Sequence, residues 1–250
     1  MTSSSESVAI DKGGAPVAAP GTSGAKGGRT SIYVYEAPVR IWHWVNALAI
    51  IILAVTGYLI ASPLPSAPGE AINTFVMGYI RFAHFAAAYI FAVGFLGRIY
   101  WAFVGNHHAR QIFYLPLTNK VWWSGLFQEL RWYLFLEREP RKYVGHNPLA
   151  HLAMFFFITL ASIFMIFTGF AMYAEGEGEG SWQYKLFGWV ISWAGNNTQN
   201  LHTLHHLGMW TIVLFIIVHV YAAIREDIMS RQSMVSTMIS GDRMFKDDRE

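Results

Sequence analysis

The sequence predicts an all-α membrane protein, a bundle of four transmembrane helices, on three observations. Four apolar segments, about 42–61, 79–104, 150–173 and 203–224, are each long enough to cross a hydrocarbon core. No Asp, Glu, Lys or Arg occurs from Ile41 to Gly69, from Tyr143 to Ala174, or from Leu186 to Ile224. Of 250 residues, 54% are hydrophobic, 16% aromatic and only 14% charged, against about 25% charged in soluble domains.

Taken in order, residues 1–32 are rich in Ser, Gly and Ala and read as a disordered cytoplasmic tail. They lack the apolar run of a cleavable signal peptide. Residues 33–228 form the membrane domain. Its second span carries Arg81 and Arg98 near the ends, where long side chains reach the interface. Residues 120–137 (KVWWSGLFQELRWYLFLE) mix aromatics with scattered charge and read as interfacial. Residues about 182–195 are too short to span and read as an interfacial helix. Residues 229–250 read as a cytoplasmic C-terminal tail.

Positive charge sets the orientation. With both termini in the cytoplasm, 16 of the 18 Lys and Arg fall on that side; only Arg81 and Lys185 lie opposite, beside the acidic run EGEGEG of 175–180. A multi-pass protein of a bacterial cytoplasmic membrane is expected.

Four histidines stand in or at the ends of these spans: His43, His84, His205 and His219. His205 and His219 are fourteen residues apart on one helix. At 100° and 1.5 Å per residue they lie about 40° apart in angle and roughly 21 Å apart along the axis. Depth matches His43 with His219 near the cytoplasmic face and His84 with His205 near the outer face. Two histidine pairs at two depths are what two bis-imidazole haems require, and an iron with both axial sites filled passes electrons rather than binding substrate. Singly, a histidine near a membrane helix end is more often an interfacial or hydrogen-bonded residue than a ligand; it is the two depth-matched pairs together that favour ligation. Within HTLHH, His206 is about 140° and His202 about 100° around the helix from His219, so His205 fits best.

The chain has no cysteine. Covalent haem attachment, iron–sulfur ligation and disulfides are therefore excluded, and any haem is held non-covalently. Gly57, Gly94, Gly97, Gly169 and Gly208 are placed where a flat macrocycle could approach the backbone, although ordinary small-residue helix packing explains each singly. The first and third spans share Thr-Gly-aromatic endings, TGY at 56–58 and TGF at 168–170. His84 and His205 are each followed five residues later by an aromatic, Tyr89 and Trp210. Arg40, Arg81, Arg98 and Arg225 lie where haem propionates would emerge, or act as interfacial anchors.

RIWHWVNALAIIILAVTG (40–57) and HTLHHLGMWTIVLFIIVH (202–219) resemble the two signature stretches of the b-type cytochrome subunit of membrane-bound nickel–iron uptake hydrogenases. YEAPVRIWHW, GYIRFAHF, GRIYWAFVGNHH, YVGHNPLA and HVYAAIREDIMSRQS extend the resemblance over about 33–245. The family's haem-ligand positions match His43, His84, His205 and His219. The resemblance implies two haem b, quinone as acceptor, and a periplasmic partner with an iron–sulfur small subunit and a nickel–iron large subunit. This chain would be the non-catalytic electron-transfer subunit and anchor of a hydrogen:quinone oxidoreductase. It would meet its partner through the outer segment 174–200 and the loop 62–78. No nucleic-acid partner is expected.

Electrons entering outside need an acceptor at the far end, so the quinone site is expected near His43 and His219. Asn106, His107, His108, His146, Asn147 and His151 supply candidate hydrogen-bond donors there. Three alternatives stand beside this reading. One is the cytochrome b subunit of another quinone-linked complex, such as formate dehydrogenase. Another is a zinc-binding or transport protein using His107–His108 and HTLHH, and the third is an anchor without haem.

Overall fold

The computed structural model describes residues 30–65, 75–138, 143–229 and 233–245. Residues 1–29 of the expected tail and 66–74 of the expected outer loop lie outside the described residues. The element order is β1 (Thr30–Tyr33), α1 (Ala37–Ala61), α2 (Val76–Val104), α3 (His107–Arg110), a 3-10 turn (Gln111–Phe113), α4 (Lys120–Tyr133), α5 (Pro148–Met154), a π-helical segment (Phe155–Leu160), α6 (Ala161–Glu177), α7 (Trp182–Trp193), α8 (Thr198–Met229), α9 (Met234–Ser240) and β2 (Asp242–Phe245). The fold class is as the sequence predicts. Four helices, Ala37–Ala61, Val76–Val104, Pro148–Glu177 and Thr198–Met229, are long and apolar enough to cross a membrane. They run to 25, 29, 30 and 32 residues. About 20 residues suffice to span hydrocarbon, so each of the four helices is longer than a crossing requires.

Local chemistry sets several of those ends. Asn147 accepts from Ala150 N at 2.7 Å, with Pro148 in the first turn behind it. This side-chain cap and a proline that needs no N–H partner start the third span. Ser181 caps α7 through Tyr184 N at 3.1 Å. α7 is the short helix expected at 182–195, and α4 occupies most of the aromatic stretch 120–137. The third span is not a uniform α-helix. Its π-helical stretch at Phe155–Leu160 shifts the register of every side chain that follows.

The chain divides into two compact units. One comprises Ile41–Val104 and Phe156–Val218, with segments of all four spanning helices. Its core joins Ala49 and Ile50 of α1, Phe91 of α2 and Ile212 of α8, with Met165 and Ile166 of α6 packed against them. A second cluster seats α7 on α6 through Ala171, Val190, Ile191, Ala194 and Leu201.

Among the described residues, the other unit comprises 30–40, those within Gly105–Phe155, and those from His219 to 245. Here the C-terminal segment 229–250, expected as a tail, contains α9 and β2. β2 pairs antiparallel with β1, with Tyr33 opposite Asp242 and Ile32 opposite Arg243. Arg243 is 2% exposed and donates to the carbonyls of Tyr143 at 3.0 Å and Gly145 at 2.9 Å. Asn106 donates to Val34 O at 2.9 Å, and its own N–H meets the Glu36 carboxylate at 2.9 Å. A four-residue strand whose partner is some 200 residues away leaves no periodicity to read.

Candidate functional site

Within the first unit, two histidines are held in the same way by two different helices. Thr56 of α1 donates its hydroxyl to Ile52 O at 2.6 Å, and its oxygen lies 2.9 Å from His84 Nδ1 on α2. Thr168 of α6 donates to Phe164 O at 2.8 Å, and its oxygen lies 2.8 Å from His205 Nδ1 on α8. Back-bonding to the carbonyl four residues earlier is the usual habit of a helical threonine. It fixes the hydroxyl so that its oxygen faces the neighbouring helix. The next residue in each case is glycine. A Cβ on Gly57 would stand 3.2 Å from His84 Cε1, and one on Gly169 would stand 3.2 Å from His205 Cε1. Each imidazole therefore lies against a bare stretch of backbone that any other residue would fill.

The residue after each glycine completes the pattern. Tyr58 packs edge-on against Trp210 at 6.3 Å, and Phe170 packs edge-on against Tyr89 at 5.4 Å. Trp210 follows His205 by five residues and Tyr89 follows His84 by five. Exchanging α1 with α6 and α2 with α8 carries each contact onto its counterpart, which is an approximate two-fold relation. The TGY and TGF echo in the sequence is thus a spatial repeat. The threonine-to-histidine separations differ, 28 against 37 residues, and α7 occupies part of the longer connection.

His84 and His205 lie within electrostatic reach of each other. Two imidazoles in matching settings, each with Nδ1 engaged and a glycine beside it, are donors of the kind a bis-histidine haem takes. The residues present fit that group. Among the described residues, no three His, Cys, Asp or Glu side chains converge to hold a bare metal ion.

The other sequence candidates are placed as follows. His206 stacks on Trp210 at 6.2 Å, and His202 is exposed. His43 is half-buried in α1 and edge-on to Trp44 at 5.0 Å. His219 is half-buried in α8 and falls in the second unit. Gly94 faces Trp42 at 3.7 Å, Gly97 faces open space, and Gly208 is closed in by Met165 and Phe164. Arg98 is 3% exposed, with its guanidinium 5.5 Å from the Trp42 ring centre. Arg81 is exposed. Arg40 donates to Ile239 O. Arg225 lies on the Trp132 ring at 3.9 Å and donates to Trp132 O at 3.2 Å.

The second unit gathers several of the polar candidates. His146 lies 3.3 Å from the Tyr35 hydroxyl and 3.2 Å from Gln111 Oε1. His108 is close to Gly145, His151 donates to Tyr114 O at 2.6 Å, and His107 is exposed. Burial holds the His146 imidazole well below its ordinary range, with Arg243, His151, His108 and His219 adding to the effect. Burial lowers His108 too, with His107 adding. Both are neutral donors at physiological pH. Asn106 and Asn147 serve as helix caps, Asn106 accepting from Ala109 N at 3.0 Å.

Two pairs of residues escaped the sequence reading. Thr56 and Thr168 were visible only as parts of an echo. Glu129 and Glu226 are 1% and 3% exposed. They stand near Tyr133, whose hydroxyl is pushed up by burial and then by both carboxylates. Glu129 sits in the stretch read as interfacial and Glu226 just past the last span, and no local signal marks either as interior.

Comparisons with known proteins show the family to which the chain belongs. The prokaryotic cytochrome b561 family matches residues 34–241. A "Probable Ni/Fe-hydrogenase B-type cytochrome subunit" of Rhodobacter capsulatus is 69% identical over 222 residues, 88% of this chain and 84% of that protein. One of the same description from Cupriavidus necator is 66% identical over 215 residues, 86% of this chain and 88% of its own length. The "Probable Ni/Fe-hydrogenase 1 B-type cytochrome subunit" of Escherichia coli K12 is 51% identical over 222 residues, 86% of this chain and 92% of its own. With four membrane-length helices, two histidines in matching settings and a family match over most of its length, this chain belongs to the prokaryotic cytochrome b561 family and is a b-type, haem-binding membrane protein.

Proposed function

We propose that this chain is the di-haem cytochrome subunit of a nickel–iron hydrogenase, anchoring the enzyme on the periplasmic side and delivering its electrons to membrane quinone. The observation that carries the proposal is the two-fold arrangement of His84 and His205 beside Gly57 and Gly169. The descriptions of relatives up to 69% identical supply the partner. Haem b bound here supplies reversible one-electron chemistry with no open iron position.

His84 and His205 would hold the outer group, and His43 and His219 the inner one; the inner pair rests on matched depth. Arg40, Arg81, Arg98 and Arg225 remain the propionate candidates. The charge asymmetry favours both termini in the cytoplasm of a bacterial inner membrane. The acidic run 175–180 then faces the periplasmic iron–sulfur and nickel–iron subunits.

Quinone is proposed to bind at the cytoplasmic end. His107, His108 and His146 are the strongest donor candidates, since a neutral imidazole can donate to a quinone carbonyl. Asn147 is the weaker candidate, because its side chain already caps a helix and hydrogen-bonds to Tyr133.

Affinity purification of the tagged chain from membranes tests the whole. Hydrogenase small and large subunits should accompany it, and hydrogen should reduce a spectrum with b-type bands. Recovery of formate dehydrogenase subunits instead would move the chain to that complex. Replacing His107, His108 and His146 in turn tests the quinone site. Haem reduction by hydrogen should persist while quinone turnover fails; unchanged turnover in every variant would place quinone elsewhere.

A further inference from the structure

We infer that Thr56 and Thr168 are a matched pair of positioning residues that fix the tautomer and orientation of the two axial imidazoles of one haem and hold its potential down. The inference rests on the proposed ligation by His84 and His205. Each threonine hydroxyl has one proton. In both helices that proton is directed to a carbonyl four residues earlier, at 2.6 Å for Thr56 and 2.8 Å for Thr168. A carbonyl can only accept. The same oxygen, 2.9 and 2.8 Å from Nδ1, therefore meets the imidazole as an acceptor, and Nδ1 must carry the ring proton. In a neutral imidazole the lone pair is then on Nε2, the nitrogen left to bind iron.

Two consequences follow. The ring plane is held by a bond to a helix that does not carry the histidine, so rotation of either imidazole must break a contact between helices. A hydrogen bond donated from Nδ1 also makes the imidazole a more basic ligand, which favours the oxidised iron. The glycine after each threonine leaves room beside the Cε1 and Nδ1 atoms of the same ring. The approximate two-fold relation makes the arrangement at the two ligands equivalent. Both threonines should therefore shift the same potential, in the same direction and by similar amounts.

The test uses the full complex in membranes, with Thr56→Val, Thr168→Val, the double variant, and Thr→Ser at each position. Valine keeps the shape and removes the oxygen, whereas serine restores the oxygen. The readouts are an optical redox titration and the low-temperature electron paramagnetic resonance spectrum of the oxidised haems. Each valine variant should raise the midpoint of one haem and alter its spectrum, leaving the other haem unmoved. The expected loss of preference for the oxidised form is up to about tenfold, which is 59 mV for a one-electron couple. The double variant should move that same haem further, and serine should restore both signals.

If a valine variant loses haem but the serine variant keeps it, the hydroxyl is again what places the ligand. Loss of haem in both would overturn the inference in favour of simple packing. So would valine variants with full haem and unchanged midpoints and spectra. If the two valine variants shift different haems, His84 and His205 do not share one, and the ligand pairing fails while the role of each hydroxyl stands.

Discussion

Gly57→Ala adds one methyl group to a helix and should weaken haem binding at the outer site. The added Cβ would sit 3.2 Å from His84 Cε1, tighter than nine in ten real Cβ contacts, and 3.6 Å from Met209 Sδ. The imidazole must retreat, and Thr56 holds its Nδ1 from the same helix at 2.9 Å. Overpacking of this kind costs about 1–3 kcal/mol. Alanine recovers about 0.8–1 kcal/mol of helix propensity over glycine.

Gly97→Ala is the control, because a Cβ there meets nothing within 4 Å and receives the propensity gain alone. The two variants should therefore differ by about 1–3 kcal/mol, roughly 5- to 150-fold in a binding equilibrium. The assay is transfer of haem from each purified variant to excess apomyoglobin, followed optically. Gly57→Ala should release one haem faster than both Gly97→Ala and the unaltered protein. Gly169→Ala should behave as Gly57→Ala does. Equal release from Gly57→Ala and Gly97→Ala would refute the claim that the glycine gives the ligand its place.

Acid acetone should extract all the haem, since no cysteine is present for thioether bonds, and a pyridine haemochrome assay should give two haems per chain; about one in native membranes would defeat the paired-depth argument. Replacing His205 should remove the outer haem, whereas His206→Ala and His202→Ala should leave both; loss with His206→Ala alone would mean that α8 presents a different face. Arg243→Ala strands two carbonyls that now share a buried guanidinium, a loss of about 1.5–3 kcal/mol for each charged bond. Protease should then cut residues 233–245 faster; unchanged cleavage would show that β2 does not depend on Arg243. Because burial depresses His146 below the unfolded value of about 6.5, its contribution is full above that pH and is lost as pH falls below it. Thermal unfolding in detergent should be less acid-sensitive in His146→Gln, and an identical pH profile would exclude His146 as a source of acid sensitivity.

The sequence by itself determined the four spans, because twenty apolar residues without charge have one stable place, and a helix across hydrocarbon satisfies its own backbone bonds. It also determined the absence of covalent haem, which follows from the missing cysteines. His205 stood out over His206 and His202 by helical angle alone. In the structure it is His205 that meets Thr168 and Gly169, while His206 stacks on Trp210.

Only the tertiary structure decided what Thr56 and Thr168 touch. Their partners are 28 and 37 residues away, a separation that local periodicity does not encode. The same holds for the glycines. Gly57 and Gly97 are alike in sequence, yet one faces an imidazole and the other open space. The pairing of β1 with β2 and the burial of Glu129, Glu226 and Arg243 were equally hidden. An isolated charge carries no local mark of burial, and only contacts between segments far apart in the chain exclude the water around it.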